Sequence, residues 1–378
     1  MPANLPAEAR AKWAKVLEAK TKEEKIKALQ EYLAAVPKHK GTEKIVSQVR
    51  HQIAVLKREI DEEKSKKGGG YGFSIEKEGD VQVVMVGFTG SGKSALLSRL
   101  TGAKVEIGDH PYTTTRPVPG VLKHGGVLIQ LVEAPAIIRE GGKWNDMVFS
   151  LVRNADGVLL VIDGSHNPED QLSKLLLMFE DYGLLLGDER CKIEIKRGPY
   201  PHIQVIVHGR LIDATIDDVR KLLNDYRITN AQVTIWGEAT LDDVERFIMG
   251  NVMYKPGIIL VNKADLIKDK IKLHVQLPVL YVSATNGTGL DLLGDLLIKT
   301  LKLIRVYTKE PNEAKPSSRP LVLKEGSTVR DVAERIHKMF AQRLKYAKIW
   351  GNSVKYPGEK VGGDHVLLDG DIIELKID

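Results

Sequence analysis

The residues in this chain with the clearest capacity for chemistry form one octet, Gly87-Phe88-Thr89-Gly90-Ser91-Gly92-Lys93-Ser94. An apolar run, Val81 to Val86, precedes it and predicts a buried strand; Ala95 to Leu100 follows and predicts the first turns of a helix. The spacing is G-x-x-x-x-G-K-[ST], in the strand–loop–helix setting that cradles a polyphosphate. Glycines let the backbone curl so that successive N–H groups converge on one anion, and the helix start adds the positive end of its dipole. In such a loop Lys93 reaches the β- and γ-phosphates, the Ser94 hydroxyl ligates Mg²⁺, and Ala95 lies in the first helical turn beside the phosphates.

A phosphate loop does not choose between nucleotides, but two later stretches do. Ile258 to Val261 predicts a strand ending in Asn262-Lys263-Ala264-Asp265-Leu266. A carboxylate at Asp265 can accept from both N1–H and N2–H of guanine, and adenine offers no such pair of donors. Asn262 can brace the loop or bond the base, and the Lys263 stem can cover the base plane. A further strand, Val279 to Val282, runs into Ser283-Ala284-Thr285, whose backbone can meet the guanine O6.

Two segments between these motifs carry the remaining candidates. The loop His110-Pro111-Tyr112-Thr113-Thr114-Thr115 lies between helix and strand, where a threonine can complete the Mg²⁺ shell and touch the γ-phosphate. Thr114 is the favoured residue for that role, with Thr113 beside it. The strand Val127 to Val132 ends in Glu133-Ala134-Pro135-Ala136. A nucleotide switch usually carries Asp-x-x-Gly there. Glu133 is one methylene longer than Asp, Ala136 has less backbone freedom than Gly, and Ile137 supplies no polar group to orient water. These changes bear on hydrolysis more than on binding.

The elements that must position these groups can be read in order. The chain has 378 residues, 43% of them hydrophobic, which suffices for several cores. Residues 1–67 predict a helical arm. Thr21 with Glu24 makes a capping box, and Ile45, Val49, Ile53, Leu56 and Ile60 share one helical stripe that needs a partner surface. By count this arm holds 16 Lys and Arg against 10 Asp and Glu, the whole of the chain's net +6. Such a basic arm suits contact with RNA, or is an ordinary solvated helix surface. A glycine-rich linker, 68–80, leads to the nucleotide domain, 81–303.

Gly157 to Ile162 predicts a further strand of that domain. Within 172–248, Lys192 to Lys196, Ile203 to Val207 and Val233 to Trp236 predict strands, and Ile216 to Tyr226 and Leu241 to Met249 predict helices: an inserted α+β subdomain. Cys191 and His202 lie in it without ligand spacing and read as structural. A helix is expected over Leu290 to Leu303. Residues 304–378 then predict a β-grasp unit with strands Ile304 to Tyr307, Leu321 to Leu323, Ala347 to Trp350 and Ile372 to Ile377. Its helix runs from Thr328 to about Arg343, with Ile336 and Phe340 inward. Lys345, Lys348, Lys355 and Lys360 are candidate RNA contacts there. No apolar run approaches the roughly 20 residues of a membrane span, the N-terminal stretch lacks a secretory apolar core, and one cysteine permits no intrachain disulfide; a cytoplasmic location is expected.

These motifs resemble the developmentally regulated GTP-binding (DRG) proteins, the archaeal and eukaryotic branch of the Obg-like GTPases. The likeness rests on GFTGSGKSALLSRLTG from Gly87, HPYTTT, NKAD, TKEP at Thr308 to Pro311, and KYAKIWGNSVKYPGEKVGGDHVLLDGDII from Lys345. The last stretch is similar to the TGS domain, and the insertion to a fold like ribosomal protein S5 domain 2. The resemblance implies an α/β fold: a P-loop GTPase domain with that insertion, an N-terminal helical arm and a C-terminal TGS domain. It implies GTP and GDP as ligands, Mg²⁺ held by Ser94 and Thr114, Lys93 and Thr114 as catalytic groups, and a translation-linked role with ribosome or RNA contact. For a eukaryotic member the resemblance also implies a dedicated stabilising partner protein; a prokaryotic one need not have it. Two other readings of the residues stay open: a GTP- or GDP-binding scaffold with little turnover, suggested by Glu133 and Ala136, and a P-loop ATPase or kinase.

Overall fold

The computed structural model describes residues 6–19, 21–37, 46, 49, 50, 52, 53, 56, 60, 75–103, 116–138, 142–226, 228–249, 252–267, 273–311, 313 and 315–377. The chain forms two compact units, Phe73–Gln171 with Pro256–Asp378, and Met1–Gly72 with Leu172–Lys255.

In chain order the helices are α1 (Ala7–Glu18), α2 (Lys22–Ala35), α3 (Lys93–Thr101), α4 (Lys143–Asn154), α5 (Pro168–Asp181), α6 (Ile216–Asp225), α7 (Leu241–Met249), α8 (Leu293–Thr300), α9 (Val329–Ile336) and α10 (Lys338–Gln342). The unit that holds the phosphate loop is built on a six-stranded sheet. Its strands are β1 (Val81–Val86), β2 (Val118–His124), β3 (Val127–Glu133), β4 (Gly157–Asp163), β10 (Gly257–Asn262) and β11 (Val279–Tyr281). The order across the sheet is β11-β10-β4-β1-β3-β2. Every neighbouring pair is parallel except β2 with β3. β1, β4 and β10 are buried at every residue, which is why they read in sequence as largely apolar runs; the one polar side chain inside them, Gln82, donates to Gln130 Oε1 at 2.8 Å. The chain leaves β1 for β3 on one side and β4 lies on the other. The crevice between them, at the carboxyl ends of the strands, is where an open α/β sheet takes its ligand. Gly87, Glu133, Asp163, Asn262 and Ser283 all sit at or just beyond that edge.

The C-terminal part of the same unit is a five-stranded sheet of order β13-β12-β16-β14-β15, from β12 (Leu303–Thr308), β13 (Leu321–Lys324), β14 (Leu344–Trp350), β15 (Glu359–Val361) and β16 (Ile372–Ile377). Ile304 and Val306 face a core with Val329, Val332, Ile349 and Ile373. Leu303 and Val322 point the other way, into the core beneath the six-stranded sheet. Strand alternation therefore gives β12 a side chain in each of two cores. Arg305 adds a bond from Nη1 to the Gly125 carbonyl at 3.4 Å, and Arg319 pairs with Asp80 at 3.1 Å.

In the other unit β6 (Cys191–Arg197), β7 (Gln204–Leu211) and β8 (Ala231–Ala239) form a three-stranded sheet of order β6-β8-β7, antiparallel on one side and parallel on the other. Beside it β5 (Leu184–Leu186) pairs in parallel with β9 (Met253–Lys255). The capping box of Thr21 with Glu24 is formed at the start of α2. Trp13, Leu29 and Tyr32 of α1 and α2, with Val49 and Ile53 of the apolar stripe, share one core with Val219, Leu223, Tyr226, Val233, Ile235 and Val244. Trp13 meets Tyr32 and Tyr226 edge-on, with ring centroids 4.9 and 5.7 Å apart. Ile45 lies outside the described residues.

Two expectations about helices need correction. The helix beginning at Thr328 stops at Ile336, because His337 is extended (φ −165°, ψ 135°) and its ring accepts from the Met339 N–H to start α10. Ile336 consequently faces solvent at 39% exposure rather than the core. The helix expected from Leu290 to Leu303 is only α8 after a 3-10 turn, and Lys302, at φ +50°, turns the chain so that Leu303 begins a strand. β2, α4 and α5 had no counterpart in the sequence reading. β2 is a half-exposed edge strand with a proline and a glycine, and so lacks the apolar run that marks its neighbours. No described helix is long and apolar enough to cross a membrane. Trp13→Ala is expected to cost its unit about 3–5 kcal/mol, read as earlier hydrogen exchange across α6 and α7; unchanged protection there would show that α1 is not part of that core.

Candidate nucleotide-binding site

The phosphate loop is held open by close approaches that only glycine permits. Gly92 has φ +84°, and a Cβ on it would lie 2.2 Å from the Asn262 Nδ2. A Cβ on Gly87 would lie 2.2 Å from the Val161 carbonyl oxygen of β4. Ser91 is buried, and its hydroxyl donates to the Phe88 carbonyl at 2.9 Å. α3 starts at Lys93, so the amides of Lys93, Ser94 and Ala95 belong to the first turn, whose N–H groups have no acceptor within the helix.

Lys93 is buried at 5% exposure, and its ammonium donates to the carbonyls of Gly87 and Phe88, each at 3.1 Å. Burial pushes this amine down to about 8, against the upward pull of Glu133. The Gly87 carbonyl also accepts from Ile137 N–H at 3.2 Å, so one oxygen joins the lysine to the chain after β3. The Ser94 hydroxyl donates to Glu133 Oε1 at 2.6 Å. Beyond Glu133 the backbone is pinned. Trp144 donates from Nε1 to the Ala136 carbonyl at 3.0 Å, and the Asn145 carboxamide bonds both the N–H (3.2 Å) and the C=O (2.6 Å) of Ile138. Ile137 is itself buried.

Asn262 ties the Gly87–Ser94 loop to the loop after β11. Its Nδ2 donates to the Ser91 carbonyl at 2.9 Å, and its Oδ1 accepts from Ala284 N–H at 3.2 Å. The amide is thus engaged in bracing, one of the two roles its position allows. Lys263 sits in the left-handed region, φ +61°, and its ammonium meets Asp163 Oδ2 at 2.6 Å. Burial alone would raise the Asp163 carboxyl; bonds from Lys263 and Ser165 outweigh it and hold the group below its ordinary value. Asp265 is exposed on a 3-10 turn, and Leu266 beside it is 57% exposed. Ser283 is buried; Ala284 is half-buried and Thr285 exposed. Thr89 and Gly90 face solvent at the loop tip, and Phe88 is half-buried. Thr113 and Thr114 lie outside the described residues.

The structure brings the octet, Glu133, Asn262, Lys263 and Ser283 to one edge of the sheet. It also adds groups that sequence reasoning missed. Asp163 could have been found as the acidic end of an apolar strand. Trp144 and Asn145 carry no local signal, since their role depends on where α4 packs.

A curled amide loop, a buried lysine, a hydroxyl–carboxylate pair and an asparagine-braced second loop at the carboxyl edge of a mostly parallel sheet define a P-loop GTPase. Comparison with known families agrees. Residues 82–186 match the 50S ribosome-binding GTPase family, 203–303 the C-terminal region of the MMR_HSR1 domain, and 304–377 the TGS domain. The chain is 36% identical to a Methanocaldococcus jannaschii protein described as an uncharacterized GTP-binding protein, over 94% of this chain and 93% of that one. It is 32% identical to developmentally-regulated GTP-binding protein 1 of Xenopus laevis, over 93% of this chain and 98% of the other. A crystal structure of a GTP-binding protein from Sulfolobus solfataricus in complex with GDP aligns over 73% of this chain and 71% of that one, at 18% identity and a TM-score of 0.33. The chain belongs to the Obg/DRG-type GTP-binding proteins with a C-terminal TGS domain.

The position of Lys93 sets a pH dependence. Protonated Lys93 favours a triphosphate, so GTP affinity should be flat below about pH 8 and fall above it, by up to tenfold per unit as the proton is lost. The sign for folding is opposite: without nucleotide the fold gains stability as pH rises from about 8 toward 10.5, where only the unfolded chain still binds that proton. Lys93→Ala should weaken GTP by about a hundredfold or more and flatten the binding profile; titration calorimetry across this range checks both.

Proposed function

We propose that this GTP-binding protein hydrolyses GTP to GDP and phosphate, slowly, and acts as a ribosome- or RNA-associated switch linked to translation. The observation that carries the reading is the 2.6 Å bond from Ser94 Oγ to Glu133 Oε1, set beside the buried Lys93. It joins the hydroxyl that follows the phosphate lysine to an acidic group at the end of the neighbouring strand. Both are hard oxygen donors of the kind Mg²⁺ takes. Among the described residues no group of three or more His, Cys, Asp or Glu gathers to hold a metal alone. That suits an ion that completes its shell with phosphate oxygens and water. Ser94 and, from the loop before β2, Thr114 would hold it, and when bound it would neutralise charge on the β- and γ-phosphates.

The chain's own groups do the rest. The N–H groups of Gly87 to Ala95 fix the phosphates, and Lys93 stabilises the charge that grows as water attacks the γ-phosphorus in line with the leaving oxygen. Asp265 reads the guanine N1–H and N2–H, Lys263 and Leu266 cover the base, and the Ser283–Thr285 backbone meets O6. Thr113, Thr114, Glu133 and Ala136 are the residues assigned to the γ-phosphate side in this proposal. The domain division is part of the same proposal: arm 1–67, linker 68–80, GTPase domain 81–303 with an S5-like insertion at 172–248, and TGS domain 304–378. So are a cytoplasmic location, a stabilising partner protein, and ribosome or RNA contact through the TGS lysines and the basic arm. Of those lysines, Lys348 lies 3.5 Å from Glu374, and Lys360 stands over the Tyr346 ring.

A second reading, a guanine-nucleotide binder with little turnover, draws on one feature. The backbone from Ala136 to Ile138 is fastened by Trp144 and Asn145, and no polar side chain there faces an attacking water. Single-turnover phosphate release from GTP-loaded protein separates the two. Release that accelerates when ribosomes are added is the expected result. GTP bound but intact under both conditions leaves the second reading. Asp265→Asn should raise the Kd for GTP at least about tenfold while leaving ATP unaffected; unchanged GTP affinity would instead favour an ATP-type site.

A further inference from the structure

The end of β4 is fastened to the Asn262–Asp265 loop by more than strand pairing. Asp163 stands beside Asn262 in the parallel ladder, and the next N–H, that of Gly164, donates to the Asn262 carbonyl at 2.8 Å. Across this seam Lys263 Nζ donates to Asp163 Oδ2 at 2.6 Å. The other carboxylate oxygen is engaged as well: Oδ1 accepts from the Ser165 hydroxyl at 2.6 Å and from the Ser165 N–H at 2.9 Å. Gln171 of α5 holds the Asp163 backbone, accepting from its N–H and donating to its carbonyl, each at 3.0 Å. His166 Nδ1 lies 3.4 Å from Asp163 Oδ2 and 2.8 Å from Ser165 Oγ. The carboxylate is therefore fixed in place by its own strand end and helix, independently of Lys263.

Lys263 is where that rigidity is used. Its backbone is left-handed, φ +61°, a conformation that residues with a Cβ rarely adopt and keep only where their surroundings impose it. The bond to Asp163 supplies that restraint from the side-chain end. An exposed ion pair would be a weak one, but here the side chains are 33% and 13% exposed and both carboxylate oxygens are hydrogen-bonded, so the geometry is held. The left-handed turn sets the direction of the chain beyond it. Ala264 N–H donates to the Val282 carbonyl at 3.0 Å, and Leu266 N–H closes a 3-10 turn on the Lys263 carbonyl at 2.9 Å. Asp265 is carried on that turn, exposed, so its direction is inherited from the backbone at Lys263.

We propose that Asp163 is a positioning residue for guanine recognition: by holding Lys263 in its left-handed turn it aims Asp265 at the N1–H and N2–H edge of the base. Asp163 touches no part of the nucleotide in this role and acts through Lys263. The inference deepens the function proposed above and rests on its assignment of base reading to Asp265. Because GTP and GDP carry the same base, loss of the restraint should weaken both by the same factor, unlike a change at Lys93, which acts on phosphate.

The test is titration of the full-length protein with GTP, GDP and inosine triphosphate, which keeps N1–H and O6 but lacks the 2-amino group. Asp163→Asn keeps the shape of the side chain and removes its charge. It is expected to raise the Kd for GTP and for GDP alike by about tenfold and to narrow the preference for GTP over inosine triphosphate, since a misaimed Asp265 no longer meets the 2-amino group. A merely structural role would lower thermal stability and leave that preference unmoved. Lys263→Met keeps the apolar stem, and the double variant Asp163→Asn/Lys263→Met should bind GTP no worse than the weaker single variant, because each change removes the same pair. Full addition of the two losses overturns the proposal, as does a parent-like preference in Asp163→Asn. Should Asp163→Asn fail to fold, Ser165→Ala, which removes a bond that orients the carboxylate, decides: a narrowed preference is expected and an unmoved one overturns the proposal. Asp265→Asn keeps the two readings apart. If it abolishes the preference while Asp163→Asn does not touch it, only this inference falls; if neither variant changes it, base reading by Asp265 falls as well.

Discussion

One carboxamide holds the nucleotide site together. Asn262 ends a strand that is buried at every residue, and its side chain spans from the Ser91 carbonyl in the phosphate loop to the Ala284 amide in the loop after β11. Both ends of the amide are used, as a buried carboxamide requires. The parts of the pocket that would meet phosphate and base are therefore fixed to each other rather than each to its own strand. Gly92 is bound into the same arrangement, since any side chain there would occupy the space of the Asn262 amide.

The second constraint is burial of charge. Lys93 sits in the interior with two backbone carbonyls as acceptors and the Glu133 carboxylate as counter-charge. A charged amine so placed is costly unless it is paired. This one is held by groups that are weaker partners than a polyphosphate, so incoming phosphate meets a preorganised cation with little rearrangement to undergo. The Ser94–Glu133 bond is built in the same manner, a hydroxyl and carboxylate already turned toward each other. The fastened backbone at Ala136 to Ile138 differs in kind. It limits how far the chain after β3, with its unusual Glu-Ala-Pro-Ala sequence, can move.

Packing between domains follows from strand alternation. β12 feeds Leu303 into the nucleotide-domain core and Ile304 and Val306 into the TGS core, so the two domains meet along a strand that neither can release alone. The other unit repeats the theme with helices. Trp13 and Tyr32 complete a core that α6, α7 and their sheet begin.

The sequence by itself determined which stretches would be strands at the heart of the nucleotide domain, because strands buried on both faces must be mostly apolar: Val81 to Val86 has the expected ends, as does Ile372 to Ile377 in the C-terminal sheet, where the strand is only partly buried. It also determined that the Gly87–Ser94 octet and the Asn262–Asp265 motif would each lie at the end of a buried strand, since each is a short contiguous motif bounded by an apolar run. Capping at Thr21 was legible for the same reason. Only the tertiary structure decided the rest. Whether Asn262 braces or binds depends on a loop 171 residues earlier in the chain. Nothing near Trp144 or Asn145 in sequence indicates that they clamp the backbone after β3. The break at His337 and the exposure of Ile336 came from packing that the helical pattern of residues 328–343 does not contain. Contacts between residues distant in sequence leave no periodic or motif signature, so they become visible only once the chain is folded.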